Sequence, residues 1–179
     1  MAETPKLLAA LLAQLPDNTT GDISPEDLRD CIVSLYPSRG QIDTTATAAT
    51  TFAASNTWTK LAGTTALDAL SDGFTMPSSN ELRATKAVNQ VLMCSANVEL
   101  VCASNNKTFG VTLAKNGTAI GTFHVSQKMD SGGASYAFSF SALVPVVPND
   151  SISVYVRNET DTTSVTAQNI TLSAIGFIR

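Results

Sequence analysis

The stretch that decides the fold is Gln90-Val-Leu-Met-Cys-Ser-Ala-Asn-Val-Glu-Leu-Val-Cys-Ala103, which contains neither glycine nor proline. From Leu92 onward its even-numbered residues are apolar, whereas serine, asparagine and glutamate interrupt the odd-numbered set. Successive side chains of a β-strand point to opposite faces, so this alternation predicts a long, half-buried strand. The predicted core-facing set is Leu92, Cys94, Ala96, Val98, Leu100 and Cys102.

Similar short runs recur on both sides of this strand, bounded by Gly, Asn, Asp, Ser and Pro. Asn116-Gly117 separates two of them and predicts a tight hairpin turn, because both residues tolerate a positive φ. Eight strands joined by short turns are typical of a sandwich or jelly roll. We therefore predict a mainly β fold, an antiparallel β-sandwich of the jelly-roll type, over residues 57–179. The predicted strands span residues 57–61, 81–87, 90–103, 108–115, 118–125, 134–144, 151–158 and 167–178.

Two short helices are predicted before the strands, within residues 1–37. The leucines of the first helix repeat at three- and four-residue spacing, which places them on one face. Ser24 is predicted to cap the second helix, with Pro25 in its first turn, and Pro37 ends it. The apolar stripes are Leu7, Leu8, Leu11, Leu12 and Leu15 in the first helix and Leu28, Ile32 and Leu35 in the second.

This helical pair, about 35 residues long, is too small to bury both stripes by itself. Two partners stay open for it: other copies of the chain, or a surface on which it docks. Residues 38–56 are rich in Thr and Ala and lack periodicity, which is typical of an extended linker. The predicted organisation is thus a helical anchor over residues 1–37, a linker over 38–56 and a jelly-roll domain over 57–179.

The composition narrows the possible partners. Charged residues make up 15% of the 179 residues and the net charge is −4, without a basic cluster that could grip a phosphate backbone. We therefore expect no nucleic-acid partner. The apolar run of the first helix is too short to span a bilayer and the N-terminus is unlike a signal peptide, so we expect no membrane association. Cys31, Cys94 and Cys102 lack metal-site spacing and are interpreted as buried free thiols, with a Cys94–Cys102 disulfide as the alternative.

Two parts of the chain resemble known proteins. Leu15-Pro-Asp-Asn-Thr-Thr-Gly-Asp-Ile-Ser-Pro-Glu-Asp-Leu-Arg-Asp-Cys-Ile-Val-Ser-Leu-Tyr36 resembles an N-terminal motif of tailed-bacteriophage virion proteins. The C-terminal part is similar to the jelly-roll modules of the same proteins, which have tumour-necrosis-factor-like and C1q-like folds. The matching features there are Gly73-Phe74-Thr75-Met76-Pro77, Glu81-Leu82, Leu113-Ala-Lys-Asn-Gly-Thr118 and the closing alternating strand over residues 167–178.

The resemblance implies a homotrimer located in the virion and assembled in the host cytoplasm. A short anchor with a single terminal module is more like a capsid decoration protein (cement protein or head fibre) than a tail fibre. The helical stripes would then form the attachment to the particle or the trimer interface, and the partner would be the major capsid protein or another virion protein. The alternative is a tail fibre, spike or baseplate component whose jelly roll binds a host surface glycan.

Candidate catalytic residues are few. His124 is the only histidine, it lies in a predicted strand, and no hydrolase, phosphate-loop or dinucleotide motif occurs. We expect neither enzyme activity nor a cofactor or metal. The alternative to a packed or solvated His124 is a metal or anion site formed by three symmetry-related copies of this residue on a trimer axis. For the glycan alternative, the candidates are Trp58 and the loops around residues 104–107 and 158–163.

Overall fold

The computed structural model describes residues 36–178, and this part of the chain consists of twelve β-strands without an α-helix. Both predicted helices, with their stripes and the Ser24 cap, lie outside the described residues. The strands are β1 Ser38–Ala46, β2 Ala48–Thr50, β3 Thr59–Lys60, β4 Thr64–Leu67, β5 Phe74–Thr75, β6 Glu81–Ala84, β7 Gln90–Val101, β8 Lys107–Lys115, β9 Thr118–Met129, β10 Ser135–Val146, β11 Ser151–Asn158 and β12 Val165–Ile178.

The strands form two antiparallel sheets. Sheet A has the order β10-β7-β12-β1-β4, and β2 pairs with β12 beside this path. Sheet B has the order β5-β6-β11-β8-β9, and β3 pairs with β11. All eight predicted strands are present, which confirms the mainly β prediction. The predicted strand 90–103 is β7, and it lies between β10 and β12 in sheet A.

The hydrophobic core lies between the two sheets. The even-numbered apolar residues of β7 are all buried, as predicted, and they face the buried apolar residues of β8 and β11 from sheet B. The alternation of β7 therefore identified the inward face of sheet A correctly. The core residues of β8 and β11 are Phe109, Val111, Leu113, Ile152, Val154 and Val156.

The prediction of a linker over residues 38–56 is wrong for residues 38–50. These residues form β1, in the interior of sheet A between β12 and β4, and β2. Ile42 is fully buried, and a Cβ atom built on Gly40 would lie 2.7 Å from the Phe74 ring. The sandwich therefore begins at residue 38 instead of residue 57.

The physical reason is the small size of the inward residues of β1. Ser38 and Gly40 occupy inward positions and are buried, but neither has an apolar side chain that marks a strand in the sequence. Main-chain hydrogen bonds from neighbours on both sides hold the strand. β1 is therefore stabilised by pairing with β12 and β4, although its sequence lacks the hydrophobic periodicity by which a strand is predicted.

The predicted hairpin turn is confirmed. Asn116 and Gly117 join β8 to β9 with φ values of 49° and 78°. The Asn116 side chain extends the turn toward the next loop: its Nδ2 donates to Asp150 Oδ1 at 2.6 Å, and its Oδ1 accepts from the Ser151 backbone N at 2.8 Å. The turn is therefore tied to the start of β11.

Candidate functional site

The outward face of sheet A carries an apolar patch. Met93 on β7 lies opposite Leu143 on β10 and Ile175 on β12, so three large apolar side chains form a row across adjacent strands. The next row pairs Val91 with Phe177. Met93 is 46% exposed, Leu143 64% and Phe177 51%. We call Val91, Met93, Leu143, Ile175 and Phe177 the apolar patch.

The same strands carry a polar half farther along this face. Asn97 lies opposite Ser139 on β10 and Thr171 on β12, and Thr171 lies opposite Asp43 on β1. Ser139 Oγ donates to Asn97 Oδ1 at 2.7 Å, and Thr171 Oγ1 donates to Asp43 Oδ1 at 2.8 Å. We call Asp43, Asn97, Ser139 and Thr171 the polar half. Its side chains satisfy one another, which is typical of a solvated sheet face.

The apolar patch lies at the end of the sandwich where the N-terminal region joins. Tyr36, Pro37 and Ile175 contribute to the wall of a surface cavity of about 310 Å³. Lys86 Nζ donates to the Tyr36 carbonyl at 2.7 Å, so the entry of the chain is held against the loop between β6 and β7. The C-terminal end of the predicted anchor, Tyr36 and Pro37, therefore lies beside the apolar patch.

A second cavity of about 380 Å³ lies along β1 on the same face. Arg39 and Ile175 line both cavities, and Leu70, which is 70% exposed, lines the second. Arg39 Nε donates to the Leu70 carbonyl at 2.8 Å, which holds the loop after β4 against β1. The apolar patch thus continues into a furrow that contains one guanidinium group.

Sheet B carries a different cluster, around Trp58. The Arg157 guanidinium lies 4.5 Å from the centroid of the indole, and the His124 ring meets it edge-on at 5.9 Å. Glu159 Oε1 accepts from Arg157 Nη2 at 2.8 Å and from Ser126 Oγ at 2.6 Å. Burial opposes the shift, but these hydrogen bonds lower the pKa of Glu159. Arg157 covers one face of the indole, and that face is therefore not free to stack on a sugar.

The loop end of the sandwich is a hydrogen-bonded network. The predicted glycan loops meet here: Lys107 Nζ contacts Asp161 Oδ2 at 2.6 Å. Asn158 Oδ1 accepts from the backbone N of Thr160 and Asp161, and Asn158 Nδ2 donates to the Thr163 carbonyl. The Lys107 ammonium and the Thr163 backbone amide lower the pKa of Asp161. These contacts fix the two loops to each other.

The residues considered for catalysis lie apart from one another. His124 is exposed on the edge strand β9, and its Nδ1 is 2.8 Å from the Gly121 carbonyl oxygen. Cys94 and Cys102 are buried free thiols, as predicted, and burial raises the pKa of Cys94 to about 12. Among residues 36–178 no three His, Cys, Asp or Glu side chains are placed to share a metal ion. The same residues include no helix that could cross a membrane.

Sequence reasoning did not identify the apolar patch. Its signal was present, because the outward set of β7 contains Val91 and Met93 where a solvated face would carry polar residues. The outward residues of β12, Ile175 and Phe177, repeat the anomaly. These two pairs of residues are adjacent only because of the register in which β7 pairs with β12. That register cannot be read from the sequence.

Solved structures share this arrangement of two sheets. The chain is similar to murine APRIL at pH 5.0, with 12% identity over 76% of this chain and 98% of that chain and a TM-score of 0.51. It is also similar to Eiger TNF from S. frugiperda, with 8% identity over 80% of this chain and 93% of that chain and a TM-score of 0.56. No family model and no curated protein sequence matches the chain.

At these identities the likeness shows the fold alone. The described part of the chain is a jelly roll of the tumour-necrosis-factor type, as the resemblance of the C-terminal part implied. The resemblance to tailed-bacteriophage virion proteins stays a prediction.

Proposed function

We propose that this chain is a non-enzymatic structural protein of a tailed-phage particle, a trimeric capsid decoration protein attached through its N-terminal region. The observation that carries the proposal is the apolar patch, whose large side chains are exposed among residues 36–178 at the end where the N-terminal region joins. The resemblance of residues 15–36 to a virion motif supports the location, and the tumour-necrosis-factor-like fold supports three copies.

A ring of three copies needs two different surfaces that fit each other. The first is the outward face of sheet A, with the apolar patch at one end. The second is the edge of sheet B formed by β9, where Phe123 is 51% exposed. Edge strands expose main-chain groups that pair with other chains unless something covers them. Packing β9 of one copy against sheet A of the next would cover the patch and the edge together.

Attachment to the particle is proposed for the helical anchor. Because β1 begins at residue 38, no flexible linker of the predicted length separates the anchor from the sandwich. The jelly roll would therefore lie directly on the capsid surface. Binding to the assembled lattice would stabilise the particle by mass action, since the bound form is favoured only in the intact capsid.

The proposal includes that the protein has no enzyme activity. Acid–base catalysis needs a titrating group and a partner that holds it near the substrate. His124 faces the Arg157 guanidinium at 3.5 Å, and Glu159 is occupied by Arg157 and Ser126. The buried Cys94 has the raised pKa of an inert thiol. His124 and Glu159 therefore contact other side chains of the sandwich, and Cys94 lies in its core.

Two measurements on the full chain test the proposal. Sedimentation at micromolar concentration should give three times the 18.7 kDa monomer mass. Purified protein should co-sediment with tail-free capsids and leave host cells unbound. Binding to host cells that is competed by surface glycan, without capsid binding, would instead favour the tail-fibre alternative. Release of oligosaccharide from that glycan would overturn the non-enzymatic proposal.

A further inference from the structure

The turn between β8 and β9 combines a reactive pair of residues with an exposed position. In an Asn-Gly pair the backbone nitrogen of glycine can attack the Cγ atom of the asparagine, because glycine has no side chain that shields its nitrogen. Asn116 is the only asparagine in the sequence that precedes a glycine. Asn116 and Gly117 are both exposed, and a Cβ atom built on Gly117 would lie 3.7 Å from Tyr155 Oη, so the turn is not crowded. Spontaneous loss of a side-chain amide is therefore chemically easiest here.

The Asn116 side chain is held by the loop before β11. Its Nδ2 donates to Asp150 Oδ1 at 2.6 Å, and its Oδ1 accepts from the Ser151 backbone N at 2.8 Å. The Asn116 backbone N also donates to the Ser151 carbonyl at 2.9 Å. Asp150 is buried and fixed in turn, because its Oδ2 accepts from the Val147 backbone N at 2.8 Å and lies 2.7 Å from Lys115 Nζ. We call Asn116, Asp150 and Ser151 the turn latch.

We propose that Asn116 is a deamidation site and that the turn latch controls the rate of its modification. In the reaction a bond forms between the Gly117 backbone nitrogen and Asn116 Cγ, and the bond from Cγ to Nδ2 breaks. Nδ2 leaves as ammonia and takes the proton of the Gly117 amide. Water then opens the five-membered imide at either carbonyl, which leaves aspartate or isoaspartate at position 116. The inference does not depend on the proposed trimer.

The latch slows the reaction because it holds the atom that is attacked. Asn116 Cγ has to reach bonding distance of the Gly117 nitrogen, and the carboxamide must first leave Asp150 and Ser151. The attack therefore occurs only in the fraction of molecules in which the latch is open. Hydrogen bonds to ionised groups are among the stronger ones in proteins. Removal of the Asp150 carboxylate should raise the open fraction, and with it the rate, about tenfold.

The modification would in turn keep the latch open. It removes the Nδ2 donor that now lies 2.6 Å from Asp150 Oδ1 and puts a carboxylate oxygen in its place. Two carboxylates at such a distance repel each other. Isoaspartate also adds one carbon to the main chain of a two-residue turn. The turn would then separate from the start of β11.

Incubation of the full chain at mildly alkaline pH, followed by mass spectrometry of the peptide that contains residue 116, tests the proposal. We expect Asp150→Ala to deamidate about ten times faster than the unmodified chain. Gly40→Ala is the matched control, because it overpacks β1 against the Phe74 ring and lowers the stability without touching the latch. Its rate should stay within about twofold of the unmodified chain, since local opening does not require global unfolding.

Each outcome decides between local and global control. If Asp150→Ala deamidates no faster than the unmodified chain, the latch has no influence and the proposal is overturned. If Gly40→Ala is accelerated as much as Asp150→Ala, the reaction proceeds through global unfolding and the proposal fails equally. Asp150→Asn, which keeps the size of the side chain but removes its charge, should be accelerated less and replaces Asp150→Ala if that variant does not fold.

A second measurement tests the consequence of the modification. Asn116→Asp reproduces the aspartate product, and Asn116→Gly is its uncharged control because glycine also takes a positive φ. Denaturant unfolding at neutral pH should show that Asn116→Asp is the less stable of the two variants. Equal stability would overturn the opening of the latch by the new carboxylate.

Discussion

The two halves of the outward face of sheet A differ in polarity, and the proposed function rests on this difference. The apolar patch and the polar half share strands β7, β10 and β12 and lie on the same face, and Met93 and Asn97 are only four positions apart in β7. Side chains of the polar half are hydrogen-bonded to one another. Met93, Leu143 and Phe177 of the apolar patch are 46%, 64% and 51% exposed in the part of the chain that the structure describes. Large exposed apolar patches mark interaction sites, so we expect the proposed contact between copies at the end near the anchor.

The largest expected effect comes from placing a charge on the apolar patch. Met93→Asp should leave the jelly roll folded, because Met93 is 46% exposed in the single chain. Burying the new carboxylate between copies costs several kcal/mol. We expect association to weaken by about 3 kcal/mol, which is on the order of 100-fold in the dissociation constant. Sedimentation over a concentration series measures the change.

Asn97→Asp is the matched control. It introduces the same charge on the same strand and face, and it keeps the oxygen that accepts from Ser139. We expect a much smaller loss of association, with the same melting temperature for both variants. If Met93→Asp and Asn97→Asp weakened association equally, the apolar patch and the polar half would contribute equally to the contact, and the distinction between them would be wrong.

The next largest effect tests β1, the strand that carries Asp43 of the polar half and lines the furrow beside the apolar patch. Gly40→Ala would place a Cβ atom 2.7 Å from the buried Phe74 ring. Overpacking of this kind costs about 2 kcal/mol. Gly121→Ala is the control, since its nearest atom, Trp58 Nε1, is at the ordinary contact distance of 3.4 Å. Denaturant unfolding should show a loss for Gly40→Ala alone; equal stability would contradict the packing of β1 against β5.

The sequence predicted those parts of the fold in which side chains alternate clearly. β7, β8 and β11 each carry apolar residues at every second position, so both their existence and their inward faces were predictable. The Asn116-Gly117 turn was predictable because both residues take a positive φ. In these places local preference and tertiary packing agree, and either one alone identifies the element.

The rest depends on contacts that no local pattern encodes. β1 has small inward residues, and β4 and β5 are only four and two residues long, so their strand character comes from the neighbours with which they pair. The apolar patch depends on the register of three strands distant in sequence. The contact between Lys86 and Tyr36 joins residues 50 positions apart. Such features are set by topology, which a single sequence does not reveal.

The smallest effect compares two aspartates at opposite ends of the sandwich. Asp150 lies at the end near the anchor, where Lys115 Nζ is 2.7 Å from Oδ2 and the Val147 backbone N donates to the same oxygen. Asp161 lies at the loop end and contacts Lys107 at 2.6 Å. The Asp150 side chain is 10% exposed and the Asp161 side chain 40%. Solvent screens the more exposed pair, so similar distances do not imply similar stabilisation.

Burial raises the pKa of Asp150, but hydrogen bonds from Lys115, Asn116 and the Val147 amide outweigh it and lower the pKa overall. A carboxyl whose pKa is lower in the folded state contributes stability above its unfolded pKa of about 4, and that stability is lost as pH falls through the folded value. We therefore expect Asp150→Asn to cost about 1.5 kcal/mol at neutral pH, and the difference from the unmodified chain should shrink below about pH 4. Asp161→Asn should cost less throughout, because water already solvates that carboxylate. Urea unfolding from pH 7 to pH 3 measures both variants, and a larger loss for Asp161→Asn would show that ion-pair geometry outweighs burial in this sandwich.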